Sequence, residues 1–272
     1  MTDRALAERV AEHLKGLRAR KPLVHNITNF VVMNYTANAL LACGASPVMA
    51  HAPEEVEEMV GLAGALVLNI GTLSPSWVDA MALAGKEANR RGVPVILDPV
   101  GAGATRLRTE SARRLIEDIE IRVIRGNASE VLSLAEASGS GATRGVDSVH
   151  GVDEAAAAAA DLARELGTTL AITGPVDLIT DGRRLCRVAN GHALMGCVTG
   201  TGCTATALIG AFLAVVADPL EAAAAALAYF GLAGEVAART AKGPGSFQMA
   251  LLDALYMLRE DELAEGARLE TA

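Results

Sequence analysis

Apolar runs of strand length recur along the chain at residues 47–50, 65–70, 93–97, 122–124 and 170–172, with amphipathic stretches between them. That alternation is the rhythm of βαβ units. The runs lack strict apolar and polar alternation, which predicts strands buried on both faces of a largely parallel sheet. Of the intervening stretches, 53–62 and 75–91 carry helical periodicity; the second places Val78, Met81 and Ala82 on one face, Gly92 stops it, and Pro94 opens the next strand. The turn dipeptide Asp181-Gly182 joins 176–180 directly to 184–188 and predicts a hairpin, hence a mixed edge to the sheet. From Gly200 onward the pattern is almost wholly helical, over 204–216, 219–238 and 247–259. Residues 138–148, rich in Gly and Ser, read as a loop, and the alanine run 155–160 as helix.

The 272 residues are 51% hydrophobic and 21% charged, a globular composition, and no repeat or linker divides them, so a single domain over 1–272 is expected. Only eight residues are aromatic and the net charge is −8, which disfavours both nucleic-acid stacking platforms and anionic membrane surfaces as partners. The first 21 residues mix acidic and basic side chains at helical spacing and lack the apolar stretch of a secretory signal; a cytoplasmic protein is expected. The apolar run 205–217 is too short to span a bilayer and reads as a buried helix. Cys43, Cys186, Cys197 and Cys203 have neither disulfide-framework nor metal-knuckle spacing, so reduced thiols are expected, the first three as small core residues.

Chemistry concentrates in Val198-Thr-Gly-Thr-Gly-Cys203, which runs into an apolar helix. Gly200 and Gly202 let the backbone approach a ligand, and the helix start offers amides and a positive dipole end to an anion. The text also fits G-x-G-x-x-A, but a dinucleotide fingerprint belongs after the first strand, and no P-loop signature occurs. At the first helical turn, Cys203 would have its thiol pKa lowered by the dipole, as suits a base. Asp98 ends a strand before the small-residue loop Pro-Val-Gly-Ala-Gly103, at the sheet edge where ligands bind in such folds. Asn127 and Glu130 have capping-box spacing; alternatively, Glu130 and Asp98 serve Mg²⁺, which uses one or two carboxylates with waters and phosphates. His25-Asn-Ile-Thr-Asn29 could position a substrate or cap the following helix.

Four segments in order, His25-Asn-Ile-Thr-Asn29, Leu97-Asp-Pro-Val-Gly-Ala-Gly103, Arg125-Gly-Asn-Ala-Ser-Glu130 and Val198-Thr-Gly-Thr-Gly-Cys203, resemble the hydroxyethylthiazole kinases. The resemblance covers nearly the whole chain, with a cysteine where other ribokinase-like kinases carry an aspartate. It implies a ribokinase-like α/β fold and ATP- and Mg²⁺-dependent phosphorylation of a thiazole alcohol in thiamine salvage. It further implies that Met49, Gly200 and Asn26 contact the thiazole and that Arg125, Thr173 and Gly202 contact ATP. Asp98 and Glu130 would serve the metal, and Cys203 would face the reacting hydroxyl, either as a base or, with its pKa pushed back up by the nearby γ-phosphate, as a hydrogen-bonding orienter. The family resemblance extends to homotrimers with active sites between neighbouring copies. Pro175 and Leu178, after Thr173-Gly174, depart from the family pattern. Two rivals are a sister kinase of a pyrimidine or pyridoxal alcohol and a nucleotide-binding sensor without turnover.

Overall fold

In a computed structural model, which describes residues 3–135 and 152–272, the chain opens on helix α1 (Arg4–Arg20) and strand β1 (Leu23–Ile27). Helix and strand then alternate through α2 (Met33–Cys43), β2 (Ser46–Val48), α3 (Val56–Val60), β3 (Ala65–Asn69), α4 (Pro75–Arg91) and β4 (Val95–Asp98). The series continues with α5 (Arg106–Asp118), β5 (Val123–Asn127), α6 (Ala128–Ala135), α7 (Val152–Leu166) and β6 (Thr169–Thr173). The hairpin strands β7 (Asp177–Thr180) and β8 (Leu185–Val188) follow, then a 3₁₀ turn at Ala193–Cys197. Helices α8 (Thr201–Leu213), α9 (Pro219–Ala238), α10 (Pro244–Met257) and α11 (Glu260–Gly266) lead to a last strand, β9 (Leu269–Thr271). The loop expected at 138–148 lies outside the described residues.

All strands join one sheet in the order β2-β1-β3-β4-β5-β6-β7-β8-β9, parallel from β2 through β6 and antiparallel beyond. Alternate side chains enter two cores. Val24, Val67, Ile96 and Val123 pack with α1, α8 and α9, whereas Leu66, Leu68, Leu97 and Ile124 pack with α4 and α5. Burial on both faces explains why the strands read as continuous apolar runs. Helix α9 is long and apolar enough to cross a bilayer by composition, yet its window is 83% buried inside the fold. Its apolar surface is therefore consumed by core packing.

Several expected boundaries move. Helix α8 starts at Thr201 rather than 204, because Gly200 takes a left-handed conformation (φ 86°) and acts as its N-cap. The polar and small residues Thr201-Gly-Cys203 carry no apolar periodicity, although they are helical. Helix α10 likewise starts at Pro244, which suits the first helical turn, and not at 247. The C-terminal segment is not wholly helical, since β9 pairs with β8. Cys197, expected in the core, is exposed, for it lies in a 3₁₀ turn with no buried residue. All four cysteines are free.

Candidate active site

The parallel strands deliver polar residues to one sheet edge. Register pairs Asn69 of β3 with Asp98 of β4, and Asn127 of β5 with Thr173 of β6. The N-terminus of α8 lies against this edge: a Cβ on Gly202 would sit 2.6 Å from Nη1 of Arg125, so only glycine lets the guanidinium lie on the helix start. The first intrahelical bond runs from Thr204 N–H to the Gly200 carbonyl at 2.8 Å, which places the amides of Thr201, Gly202 and Cys203 outside the ladder. Such an end attracts anions.

Asp98 is fully buried. Its Oδ2 accepts from Asn69 Nδ2 at 2.9 Å and Thr206 Oγ1 at 2.7 Å and lies 3.7 Å from Arg125 Nη1. Its Oδ1 has no partner among the described residues. Burial pushes the Asp98 carboxyl up to about 6, opposed by Arg125 and by the two hydrogen bonds. Arg125 also donates to the Thr173 hydroxyl. Asn29, at the end of the first motif, donates from Nδ2 to Asn69 Oδ1 at 2.8 Å and to Cys203 Sγ at 3.5 Å. The structure thus brings together Asp98, Arg125, Thr173, Gly202 and Cys203.

The thiol corrects an expectation. Burial foremost, and then the charge of Asp98, raise the Cys203 pKa; the amides of Asn69 and Asn29 and the charge of Arg125 only partly offset this. The shift is therefore upward, opposite to the one expected at a helix start, and Cys203 is a thiol at neutral pH.

Glu130 makes the capping box its spacing suggested. Its Oε2 accepts from Asn127 N–H at 2.9 Å while Asn127 Oδ1 accepts from Glu130 N–H at 2.9 Å. Its Oε1 accepts from Gly101 N–H at 2.8 Å, tying α6 to the loop after β4. Among the described residues no three His, Cys, Asp or Glu side chains gather as a closed metal cage. Mg²⁺ keeps several waters and uses few carboxylates, so a buried Asp98 oxygen without a partner fits it. Glu130, with both oxygens on backbone amides, fits only a water-mediated contact.

The three residues expected at the thiazole lie on different elements. Asn26 is buried in β1, its Nδ2 donating to the Val24 carbonyl at 2.9 Å and its Oδ1 without a partner among the described residues. Met49 is half-buried just after edge strand β2. Neighbouring Ala50 is held by His25, whose Nε2–H donates to its carbonyl at 2.8 Å, and burial lowers the His25 pKa. Gly200 faces Val32, whose Cγ1 would lie 2.7 Å from an added Cβ.

Arg125, Thr173 and Gly202 line a cavity of about 570 Å³ together with the apolar Leu227 and Phe230. Asp177, absent from the sequence-based candidates, lines the same cavity with its Oδ1 accepting from Gly174 N–H at 3.0 Å. Burial pushes its carboxyl up to about 6. Asn69 and Thr206 were missed as well. Their signal was positional: a polar residue ending an apolar strand beside Asp98, and a hydroxyl one turn beyond Gly202.

A mostly parallel sheet under two helical layers, with an anion-attracting helix start facing Asp98 at the end of β4 and Arg125 within β5, is a ribokinase-like architecture. Solved structures agree: a ribokinase-like superfamily protein from Enterococcus faecalis superposes with TM-score 0.65 at 14% identity, covering 95% of each chain, a likeness of fold. The sequence profile of the hydroxyethylthiazole kinase family matches residues 14–261, and the chain belongs to that family. The hydroxyethylthiazole kinase of Desulfotalea psychrophila is 62% identical over 260 residues, 96% of this chain and 94% of the relative. The hydroxyethylthiazole kinase structure from Pyrococcus horikoshii matches with TM-score 0.90 and 49% identity, covering 97% and 99% of the two chains. The protein is a kinase.

Proposed function

We propose that the protein transfers the γ-phosphoryl group of ATP to the hydroxyethyl oxygen of a hydroxyethyl-methylthiazole, a salvage step toward thiamine in the cytoplasm, with 1–272 as one kinase domain. The observation that carries this reading is that Asn29 and Asn69 link Cys203 to Asp98 beside the open amides of α8, in a chain of the hydroxyethylthiazole kinase family. The cavity suits ATP: its lining offers Arg125, Thr173 and Gly202 to phosphates and the apolar Leu227 and Phe230 to a base.

Phosphoryl transfer is largely positioning and charge stabilisation. The amides of residues 201–203 would receive charge building on the transferred group, and Arg125 would hold the nucleotide phosphates. Asp98 through Oδ1, and Glu130 through water, would hold Mg²⁺, which supplies charge neutralisation between phosphate oxygens. Cys203, a neutral thiol, orients the acceptor hydroxyl instead of stripping its proton, which passes to an oxygen of the transferred phosphoryl group as the new O–P bond forms and ADP leaves. On this reading Gly200, Asn26 and Met49 shape the thiazole subsite. Phe30 and Val31, each 64% exposed beside Asn29, support a homotrimer in which a neighbouring copy closes the site.

A coupled ADP assay over three acceptors tests the reading: the thiazole alcohol should be turned over far faster than pyridoxal or a pyrimidine alcohol. A preference for either of the latter reassigns the substrate, and no ADP with any acceptor points to the sensor.

A further inference from the structure

We propose that Asn69 is the positioning residue that fixes the Asp98 carboxylate and the Cys203 thiol relative to one another, with Thr206 as the second anchor of the carboxylate. Chemistry determines the orientation of the Asn69 amide at both ends. An ionised carboxylate only accepts, so the Asn69 NH₂ group faces Asp98 Oδ2 at 2.9 Å. At the other end the Asn69 oxygen accepts from Gly71 N–H at 3.0 Å and from Asn29 Nδ2 at 2.8 Å.

The Asn29 amide is determined in turn, because its oxygen accepts from Val31 N–H at 3.1 Å. Its NH₂ group must then face Asn69 and Cys203 Sγ, as observed. An unbroken chain of donors and acceptors runs from Val31 through Asn29 and Asn69 to Asp98, with the thiol hung on its middle. Two consequences follow. Asn69 and Thr206 both occupy Oδ2, which leaves Oδ1 as the oxygen of Asp98 with no partner among the described residues. Sγ receives a hydrogen bond from Asn29, so the thiol proton is free to point away from Asn29. Asn69 and Asn29 are both buried, and a flipped amide would leave polar groups unpaired at both ends. The two reacting-side groups are therefore held as one unit.

This inference rests on the proposed kinase reading. Its test compares the parent with Asn69→Leu, Thr206→Val and Thr206→Ser by steady-state kinetics with ATP and the thiazole alcohol. Loss of an outer hydrogen-bond partner costs roughly 10–100-fold, and kcat of Asn69→Leu and Thr206→Val should fall by that factor, with both KM values within about threefold. Thr206→Ser, which keeps the hydroxyl donor, should return kcat to within about threefold of the parent. A second readout needs neither metal nor nucleotide: alkylation of Cys203 by iodoacetamide, referenced to exposed Cys197 in the same chain. Asn69→Leu removes the oxygen that holds the Asn29 amide, and with it the donor to Sγ, and should slow Cys203 roughly threefold or more. An unchanged or faster Cys203 rate, or kcat of a folded Thr206→Val equal to the parent, overturns the inference. A parent inactive on every acceptor sinks the kinase reading alone, because the alkylation comparison still decides the positioning role.

Discussion

Replacing Asp98 by asparagine exchanges a buried charge for a neutral amide of the same shape, and the structure sets the size and pH dependence of the effect. The folded carboxyl titrates at about 6 against an ordinary value of 3.8. Because the folded value is raised, the native state holds its proton more tightly than the unfolded chain between these two values. Stability contributed by this group is therefore lost as pH rises through that window. At one pKa unit per roughly 1.4 kcal/mol, ionised Asp98 costs about 1 kcal/mol at about pH 4.5 and about 3 kcal/mol at about pH 7.5. The neutral amide of the variant carries no such cost, and Asp177, titrating near the same value, is common to both proteins and cancels. The stability of Asp98→Asn relative to the parent should thus rise by about 2 kcal/mol from about pH 4.5 to about pH 7.5. Urea unfolding of metal- and nucleotide-free protein at the two pH values measures it. A difference that is flat or falls with pH would refute the electrostatic account of the site. The same variant should lose nearly all turnover, so that a gain in stability accompanies a loss of function.

Three more perturbations separate the roles of neighbouring groups. Cys203→Ala should keep the KM for ATP and lower kcat roughly 5–30-fold, the loss of an orienting hydrogen bond; a drop beyond about 10²-fold would mark a general base. Arg125→Ala should raise the KM for ATP at least about tenfold through loss of charge-assisted bonds to phosphate, while the thiazole KM moves far less; equal weakening of both sinks the assignment. Gly200→Ala forces an L side chain to φ 86° with its Cβ 2.7 Å from Val32 Cγ1. Thermal unfolding should register about 2–4 kcal/mol of destabilisation, and a loss under about 1 kcal/mol would mean the helix start can relax.

The sequence made the central parallel strands legible because they are buried on both faces, as in β3 with Leu66 and Leu68 facing one core and Val67 the other. Strand β9 was not legible. Leu269-Glu-Thr271 has no apolar pattern of its own and forms by pairing with β8, supported by Asp3, whose N–H donates to the Leu269 carbonyl at 2.7 Å and whose carboxylate accepts from the Thr271 hydroxyl. At the site, local spacing marked Asp98 at a strand end and Gly202 at a helix start, whereas Arg125 and Thr173 came only from the family resemblance. Asn69 and Thr206 were hidden inside apolar runs, where one polar residue carries no periodic signal. Only the register that sets Asn69 beside Asp98 reveals their use. The shift of the Cys203 thiol was unreadable for a similar reason: the dipole is local to the helix, but burial comes from distant segments.

The most direct test of the account is the product itself. Purified protein incubated with ATP, Mg²⁺ and hydroxyethyl-methylthiazole should form ADP only when the thiazole is present, together with one new phosphate monoester on the hydroxyethyl oxygen, seen by phosphorus NMR and mass spectrometry. ADP formed at the same rate without the thiazole, or a thiazole recovered without phosphate, would contradict it.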